Sequence, residues 1–295
     1  MVLGIGDDAA LLQVPDGRQL VVAMDTLNIG VHFPEDTAPS DIGWKALAVN
    51  LSDLAAMGAT PAWCTLSLSM PQADVAFVDG FLDGFLELAE LHDVALVGGD
   101  TTRGPLSVCV TVHGLVETGS ALRRDAARVG DDIWVSGSLG DAAGGLAQWG
   151  ACQKPAPVLM ARLNRPTPRV ALGRALRGIA HACIDVSDGL LADLAHVCDA
   201  SGIGAQVDID SIPVSDGLSA AFDRQARHSL QATGGDDYEL CFTAAPHVRD
   251  AIESAARDTQ SVVTRIGVIV ATRGVMSLAG GGPWSAPASG WAHFT

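Results

Sequence analysis

The chain has 295 residues, of which 48% are hydrophobic and 18% are charged, a composition that argues against intrinsic disorder. Its length is typical of two domains of ordinary size. The formal net charge of −16 at pH 7 repels phosphate backbones, and no run of Lys or Arg offsets it, which argues against a nucleic-acid partner.

Strands and helices alternate along the first half of the chain. Apolar spacing predicts, in chain order, a strand at Gln19–Met24, a helix from Ser40 to about Met57, a helix at Asp74–Leu91, and strands at Val94–Val97 and Leu106–Val116. A new strand follows Val129–Asp132, so we place a domain boundary there and expect domains at residues 1–128 and 129–295.

The same alternation continues in the second half. The predicted helices are Asp141–Trp149, Arg169–Ala180, Asp188–Ala200 and Pro246–Arg257, and the predicted strands are Ile133–Ser136, Ala182–Val186, Ala205–Ile209, Tyr238–Phe242 and Val262–Val270. The last stretch is rich in Gly, Pro and Trp and is expected to be loop and edge strand.

The six cysteines form no C-x-x-C pair, and most lie in apolar runs, so buried reduced thiols are expected. The N-terminus lacks the pattern of a secretory signal, and no apolar stretch is long enough to span a bilayer. A cytoplasmic location is the expectation.

Aspartates recur at glycine-flanked ends of predicted strands. They are Asp7, Asp8, Asp25, Asp100, Asp185, Asp188, Asp236 and Asp237. Strand ends are where open α/β sheets place ligands, and carboxylate oxygens are what magnesium prefers. Several carboxylates in one cleft could not all stay ionised without cations, so convergence of these residues predicts a metal site. For each aspartate taken alone, a turn residue or a helix cap is the alternative.

Other candidates carry a weaker signal. Asp53 lies in a predicted helix beside small residues, so it is either a ligand, which we favour, or a solvent-facing residue. The turn Ser136–Asp141 either binds phosphate through its amides or is a simple turn, which is the favoured reading. The common nucleotide-binding motifs and a Ser/His/Asp arrangement are absent, and His32 by itself reads as a solvated loop residue.

Taken in order, six segments resemble the thiamine-monophosphate kinase family essentially from end to end. They are Gly4–Ala10, Met24–Leu27 with His32 and Phe33, Lys45–Gly58, Gly98–Gly104, Ile184–Leu190 and Gly234–Leu240. The long segment through Asp53 and the Ser187–Gly189 segment are specific to the family, whereas Gly-Gly-Asp alone would not be.

This resemblance implies an α/β (α+β) protein with the two-domain aminoimidazole ribonucleotide synthetase-like fold. The N-terminal domain would bind ATP and Mg²⁺ and pair its sheet across a homodimer, and the C-terminal α/β domain would complete the active-site cleft. Several magnesium ions would hold ATP through Asp8, Met24 (by its backbone carbonyl), Asp25, Asp53, Asp100, Asp185 and Asp188. The nucleotide would contact Gly99, Asp100, Arg124 and Ser187, and the thiamine phosphate would contact His32, Asp236 and Trp291.

The sequence departs from the family pattern at three points. Ala23 and Met24 stand before Asp25 where Ser or Thr is frequent, so Ala23 supplies no hydroxyl. Asp236 replaces the usual Glu, which shortens its reach by one methylene. The chain also begins almost at the first motif, without the segment that usually precedes it.

The implied reaction is ATP-dependent phosphorylation of thiamine monophosphate to thiamine diphosphate, the last step of thiamine diphosphate biosynthesis, by direct in-line transfer. The attacking phosphate oxygen has a second pKa of about 6, so no protein general base is required. Two alternatives remain open. One is another ATP enzyme of the superfamily with a different acceptor, and the other is an inactive protein that only binds magnesium or nucleotide.

Overall fold

The computed structural model describes residues 1–286, which form two compact units. The first unit consists of Met1–Leu54 and Ala59–Ala121, and the second of Ala55–Gly58 and the chain from Leu122 onward. The predicted substrate residue Trp291 lies outside the described residues. Among residues 1–286, no helix combines the length and the apolar character that crossing a membrane requires.

The first unit is a four-stranded sheet with two helices. Its elements are β1 (Arg18–Asn28), α1 (Pro39–Ala56), β2 (Thr60–Met70), α2 (Val75–Leu91), β3 (Ala95–Arg103) and β4 (Ser107–Glu117). The strand order is β1-β4-β2-β3, in which β2 and β3 are parallel and the other neighbours are antiparallel. The predicted helices and strands of this half are confirmed, and β1 and β3 extend beyond their predicted ends.

Strand β2 is missing from the sequence prediction although it holds the middle of this sheet. Its signal is a period of two, in which Cys64, Leu66 and Leu68 alternate with hydroxyl-bearing Thr65 and Ser67. Because β2 pairs with both β3 and β4, it sets the register that places the Gly-Gly-Asp segment of β3.

Helices α1 and α2 touch backbone to backbone where each has a glycine. A Cβ atom on Gly43 would lie 2.0 Å from the Phe81 carbonyl oxygen, and one on Gly84 would lie 1.8 Å from the Ser40 carbonyl oxygen. The fully buried rings of Phe81 and Phe85 stack beside this crossing with centroids 5.9 Å apart. The two glycines therefore allow α1, which carries the candidate ligand Asp53, to pack closely on α2.

The second unit contains a seven-stranded sheet in the order β11-β10-β7-β9-β5-β8-β6, with β10 and β7 parallel and the other neighbours antiparallel. Its strands are β5 (Asp132–Ser136), β6 (Ala182–Val186), β7 (Gly204–Asp208), β8 (Glu239–Ala244), β9 (Val263–Val270), β10 (Gly274–Ala279) and β11 (Gly282–Trp284). Its helices are α3 (Asp141–Gly150), α4 (Pro157–Asn164), α5 (Val170–Ala175), α6 (Leu190–Ser201), α7 (Asp216–Ala221), α8 (Arg224–Thr233) and α9 (Arg249–Asp258).

For this unit, the sequence predicted the correct type for the helices and strands that it identified, but it did not identify all of them. Strand β6 matches its predicted bounds, whereas helices α4, α7 and α8 were not predicted. The expected helix Arg169–Ala180 is wrong in length, because α5 ends at Ala175 and Gly178 then adopts a positive φ of 75°. Of the six free cysteines, Cys152 is exposed and Cys109 is half-buried, so burial is confirmed only for the other four.

The helix crossing in the first unit yields a prediction about stability. We expect Gly84→Ala to lower the free energy of unfolding by about 1–3 kcal/mol, because the added methyl overlaps a backbone carbonyl that cannot move freely. Urea unfolding followed by circular dichroism measures the change.

The matched control is Gly80→Ala, one helical turn earlier in α2. A Cβ there lies 3.3 Å from the Pro39 side chain, and alanine favours the helix by up to about 1 kcal/mol over glycine. This variant should match or exceed the wild type in stability. Equal losses in the two variants would contradict the close-packing explanation.

Candidate functional site

The first unit contains a cavity of about 620 Å³ between its N-terminal segment, its sheet and α2. Apolar side chains of Val78, Leu82 and Leu96 line one part of it. Its polar lining includes the carboxylates of Asp8 and Asp100. The remaining lining residues are Ile5, Gly6, Asp7, Ala9, Ala10, Thr65, Leu66, Leu68, Val97, Gly98, Gly99 and Thr101. The cavity is thus amphiphilic, and its charged lining residues are all acidic.

The Gly-Gly-Asp segment of β3 shapes the cavity through close approach of two strands. A Cβ on Gly99 would lie 1.9 Å from the Leu66 carbonyl oxygen of the paired strand, so no larger residue fits there. A Cβ on Gly98 would meet nothing within 4 Å, which leaves the backbone open to a ligand. Asp100 follows at an exposed position opposite Ser67.

The N-terminal segment brings Asp8 to the same cavity. Leu3 and Leu11 pair through a backbone hydrogen bond of 3.0 Å, which folds the residues between them into a loop, and Gly6 turns within it at a φ of 123°. The structure therefore brings together Asp8, Gly99 and Asp100. Within residues 1–286 no group of three or more His, Cys, Asp or Glu side chains is arranged to hold a metal ion by itself.

Asp25 and Asp53 belong to a different part of the first unit and do not line the cavity. The Asp25 amide donates to the Asn50 Oδ1 atom at 2.9 Å, and the buried Asn50 side chain in turn donates to the Ala46 carbonyl at 2.9 Å. Asp53 lies one turn beyond Asn50 on α1 and is half-buried. The side chain of Met24 is exposed on the opposite face of β1.

His32 is held by its loop and by a buried lysine. Its Nδ1 atom accepts the Asn28 amide at 2.9 Å, and its carbonyl oxygen accepts from the Lys45 Nζ atom at 2.8 Å. Because Nδ1 is an acceptor, the neutral ring carries its proton on Nε2. His32 is thus a fixed, half-buried residue rather than the freely solvated one that its loop position suggested.

In the second unit the loop Ser187–Gly189 connects β6 to α6. All three of its amides donate to the Oδ2 atom of Asp193, at 3.0, 3.1 and 3.1 Å. Burial and the charge of Asp185 raise the pKa of Asp193 to about 7, and the amide donors only partly oppose this. Asp193 is not among the candidates predicted from the sequence, although its position as the lone acid in the apolar run Leu190–Cys198 was a usable signal.

The Gly234–Tyr238 segment passes close to that loop. The Asp236 amide donates to the Ser187 carbonyl at 2.9 Å, and a Cβ on Gly235 would lie 2.5 Å from the same oxygen. The Tyr238 hydroxyl donates to the Asp236 Oδ1 atom at 3.2 Å. The structure therefore brings Ser187 and Asp236 together, with Asp188 next in the same loop.

The acids that follow Asp236 have structural partners. Both carboxylate oxygens of Asp237 accept the Gly140 amide, at 3.0 and 2.8 Å, and burial raises the pKa of Asp237 well above its usual range. Glu239 is fully buried and accepts from the guanidinium groups of Arg162 and Arg169 at 2.5–2.8 Å. These two buried acids therefore have protein donors inside the second unit.

The turn Ser136–Asp141 is a simple turn, as favoured from the sequence. The Gly137, Leu139 and Gly140 amides donate to Val262, Pro213 and Asp237, respectively. Three amides that could face a phosphate thus have protein acceptors. Arg124 is an exposed residue of the second unit whose carbonyl accepts from the Ser201 hydroxyl at 3.0 Å.

Comparison with known proteins gives matches over nearly the whole chain. A family model described as AIR synthase related protein, N-terminal domain, matches residues 6–116, and the corresponding C-terminal domain model matches residues 128–278. The thiamine-monophosphate kinase of Escherichia coli strain K12 is 45% identical, in an alignment that covers 99% of this chain and 92% of that relative.

Solved structures give the same result. A thiamine-monophosphate kinase from Stenotrophomonas maltophilia K279a is 55% identical with a TM-score of 0.90, covering 96% of this chain and 92% of that one. A structure of AaThiL complexed with AMPPCP and TMP is 31% identical with a TM-score of 0.84, covering 98% and 92%. These matches confirm the two-domain α/β fold and the family that the motifs suggested. The chain therefore belongs to the thiamine-monophosphate kinases, within the family of AIR synthase related proteins.

Proposed function

We propose that this chain is a magnesium-dependent enzyme that transfers the γ-phosphoryl group of ATP to thiamine monophosphate, giving thiamine diphosphate and ADP. Its relatives carry the name thiamine-monophosphate kinase, and AaThiL binds AMPPCP, an ATP analogue, together with TMP. The structural observation that supports the proposal is the amphiphilic cavity of about 620 Å³, which is large enough for a nucleotide.

The cavity matches the two chemically different ends of a nucleotide. The apolar side chains of Val78, Leu82 and Leu96 suit a nucleobase, and the open backbone at Gly98 and Gly99 permits close approach of a phosphate chain. The lining contains no Lys or Arg, so its carboxylates and an anionic triphosphate would repel each other at this end.

Magnesium fits this set of donors. The lining carboxylates of Asp8 and Asp100 are exposed, and magnesium is usually bound by one or two carboxylates together with water and substrate phosphates. A site of this kind needs no cage of three protein ligands, which agrees with the absence of such a group in the described part of the chain. When bound, the cation would neutralise charge on the phosphates as the transfer proceeds.

The remaining predicted roles are part of the same proposal. Met24, by its carbonyl, and the carboxylates of Asp25, Asp53, Asp185 and Asp188 are proposed as further magnesium ligands. Arg124 and Ser187 are proposed as nucleotide contacts, and His32, Asp236 and Trp291 as contacts of the thiamine phosphate. His32 would present the Nε2 proton that its Nδ1 hydrogen bond leaves in place.

The chain's own residues perform binding and orientation in this reaction. The attacking oxygen belongs to a phosphate that is largely ionised at neutral pH, so no side chain has to remove a proton. The bound groups have only to be aligned for in-line displacement, and the rigid backbone around Gly99 and Ser187 supplies fixed contacts for that purpose.

We further propose that two copies of the chain associate through the open face of the N-terminal sheet. Leu20, Val22 and Met24 alternate along β1 and are 43%, 54% and 62% exposed, respectively. An apolar row of this kind on a sheet is typical of a protein interface, and a second copy would cover it. Residues 1–128 would then serve both ATP and magnesium binding and dimerisation.

The cytoplasmic location stays a prediction.

The first test is ADP and thiamine diphosphate formation from ATP and thiamine monophosphate, with and without magnesium. We expect both products only with magnesium, and we expect Asp100→Asn to reduce kcat/KM on the order of 100-fold, because a carboxylate of the cavity is lost.

Asp93→Asn is the matched control for that variant. It removes the same charge from the same unit at an exposed position outside the cavity, and asparagine tolerates its positive φ of 55°. It should retain wild-type activity. Product formation without magnesium, or a folded wild type that forms neither product, would refute the proposed reaction.

The second test concerns the dimer. We expect the wild type to be dimeric in analytical ultracentrifugation at micromolar concentration and Val22→Lys to shift it to monomer, because a charge would enter the apolar row. Val129→Lys, at a similarly exposed site (57%) in the second unit, should leave the dimer intact. A monomeric wild type would rule out this interface.

A further inference from the structure

Asp193 occupies an unusual place in the second unit. It is 3% exposed, lies in the first turn of α6, and receives three consecutive backbone amides on a single carboxylate oxygen. These amides belong to Ser187, Asp188 and Gly189, the loop that carries two of the proposed ligand residues. None of the proposed binding roles includes Asp193.

Within residues 1–286 the N-cap residue of α6 makes no side-chain hydrogen bond to an amide, so the loop conformation depends on Asp193. Gly189 stands at the N-cap position of α6, where it has a φ of 122° and no side chain to accept an amide. The Gly189 amide is one of those that have no partner within a helix, and the Ser187 and Asp188 amides precede the helix, so leaving any of the three unpaired on burial is unfavourable. The acceptor is therefore supplied from inside the helix by Asp193.

Fixing this loop also fixes its neighbour. The Ser187 carbonyl accepts the Asp236 amide at 2.9 Å, and the Val186 carbonyl accepts the Tyr238 amide at 2.8 Å. The first bond ties the segment that carries Asp236 directly to the Ser187–Gly189 loop, and the second ties it to the end of β6 just before that loop. The buried Asp193 carboxylate thus helps to position three residues with proposed binding roles, Ser187, Asp188 and Asp236.

We propose that Asp193 is a positioning residue, whose Oδ2 atom holds the Ser187–Gly189 backbone in the geometry that binds the magnesium–nucleotide complex. This inference rests on the proposed function. It assigns Asp193 no direct contact with the ligand. The role requires only an oxygen atom at the Oδ2 position that accepts the three amides. It does not require that this side chain carry a negative charge.

The two possible roles of Asp193 predict different results for two substitutions. Asp193→Asn keeps a carbonyl oxygen that accepts the three amides, whereas Asp193→Ala removes the acceptor. A positioning role therefore predicts that Asn retains nucleotide binding close to the wild type, while Ala weakens it by about 10–100-fold, the usual effect of losing a partner behind a metal ligand. A direct metal ligand would be lost in both variants.

Two measurements test this with the full-length chain. Calorimetric titration with AMPPCP in the presence of Mg²⁺ gives the affinity, and hydrogen–deuterium exchange of peptides covering residues 186–190 reports on the loop amides. We expect faster exchange and weaker binding in Asp193→Ala, and near-wild-type values of both in Asp193→Asn.

Leu194→Ala is the control for general destabilisation. Leu194 is the next residue of α6 and is fully buried, so its truncation lowers stability without removing the amide acceptor. It should leave the affinity for magnesium–AMPPCP near that of the wild type. The proposal is overturned if this variant loses as much affinity as Asp193→Ala, if Asp193→Asn binds as weakly as Asp193→Ala, or if loop exchange is unchanged in Asp193→Ala.

The assay also separates this inference from the proposed reaction. It uses no thiamine monophosphate and no turnover, so a chain that phosphorylates a different acceptor would give the same pattern. If Asp193→Ala does not fold, Asp193→Asn decides the question against the wild type, because a large loss of affinity there contradicts a role that needs only an acceptor.

Discussion

The candidate site is governed by electrostatic repulsion between acidic side chains and the anionic ligand that they are proposed to bind. The cavity of the first unit has acidic side chains and no basic side chain in its lining, and the formal net charge of the chain is −16. A protein can place carboxylates beside phosphates only if cations lie between them and if the carboxylates cannot swing away to relieve the repulsion. The second condition depends on the backbone, and in the segments Gly98–Asp100 and Ser187–Gly189 close backbone packing and hydrogen-bonded amides meet it.

Close backbone approach supplies that rigidity in each unit. Gly99 lets β3 lie against Leu66, so that Asp100 is held within the sheet in register with Ser67 of β2. Gly235 lets the chain lie against Ser187, with the Asp236 amide hydrogen-bonded to the same residue. In both places a Cβ atom would overlap a carbonyl oxygen, so packing accounts for the glycines, and the adjacent acid is the residue to which the proposed function assigns a role. The Gly-Gly-Asp pattern that recurs in the sequence thus has one physical explanation at its two locations.

The sequence predicted those features that depend on neighbouring residues. Strand β6 and the start of α2, where Asp74 accepts the Phe77 amide, follow from local periodicity and capping. The convergence of Asp8 with Asp100 follows from the path of a loop, which no local pattern encodes. Glu239 pairs with Arg162 and Arg169, which are about 70–77 residues away in the chain, so its burial could not be read from its own segment. Asp193 was overlooked for a different reason: its partners are the amides of Ser187–Gly189, only four to six residues earlier, and amide hydrogen bonds leave no trace in the apolar periodicity of α6.

The segment Asp236–Glu239 contains three acids, of which two are buried and one is half-buried. The backbone geometry accounts for this difference in burial. Asp236 and Tyr238 have positive φ angles of 69° and 50°, which interrupt the alternation of an extended strand before β8 begins. Asp237 and Glu239 consequently enter the core, where amides and guanidinium groups satisfy them, and Asp236 stays half-buried beside the Tyr238 hydroxyl. Aspartate is among the few residues other than glycine that adopt positive φ readily, because its short side chain can bond locally. The shorter acid at position 236, where the family pattern has Glu, is therefore compatible with this backbone, and its reach is set by the chain path through Ser187 as much as by its side-chain length.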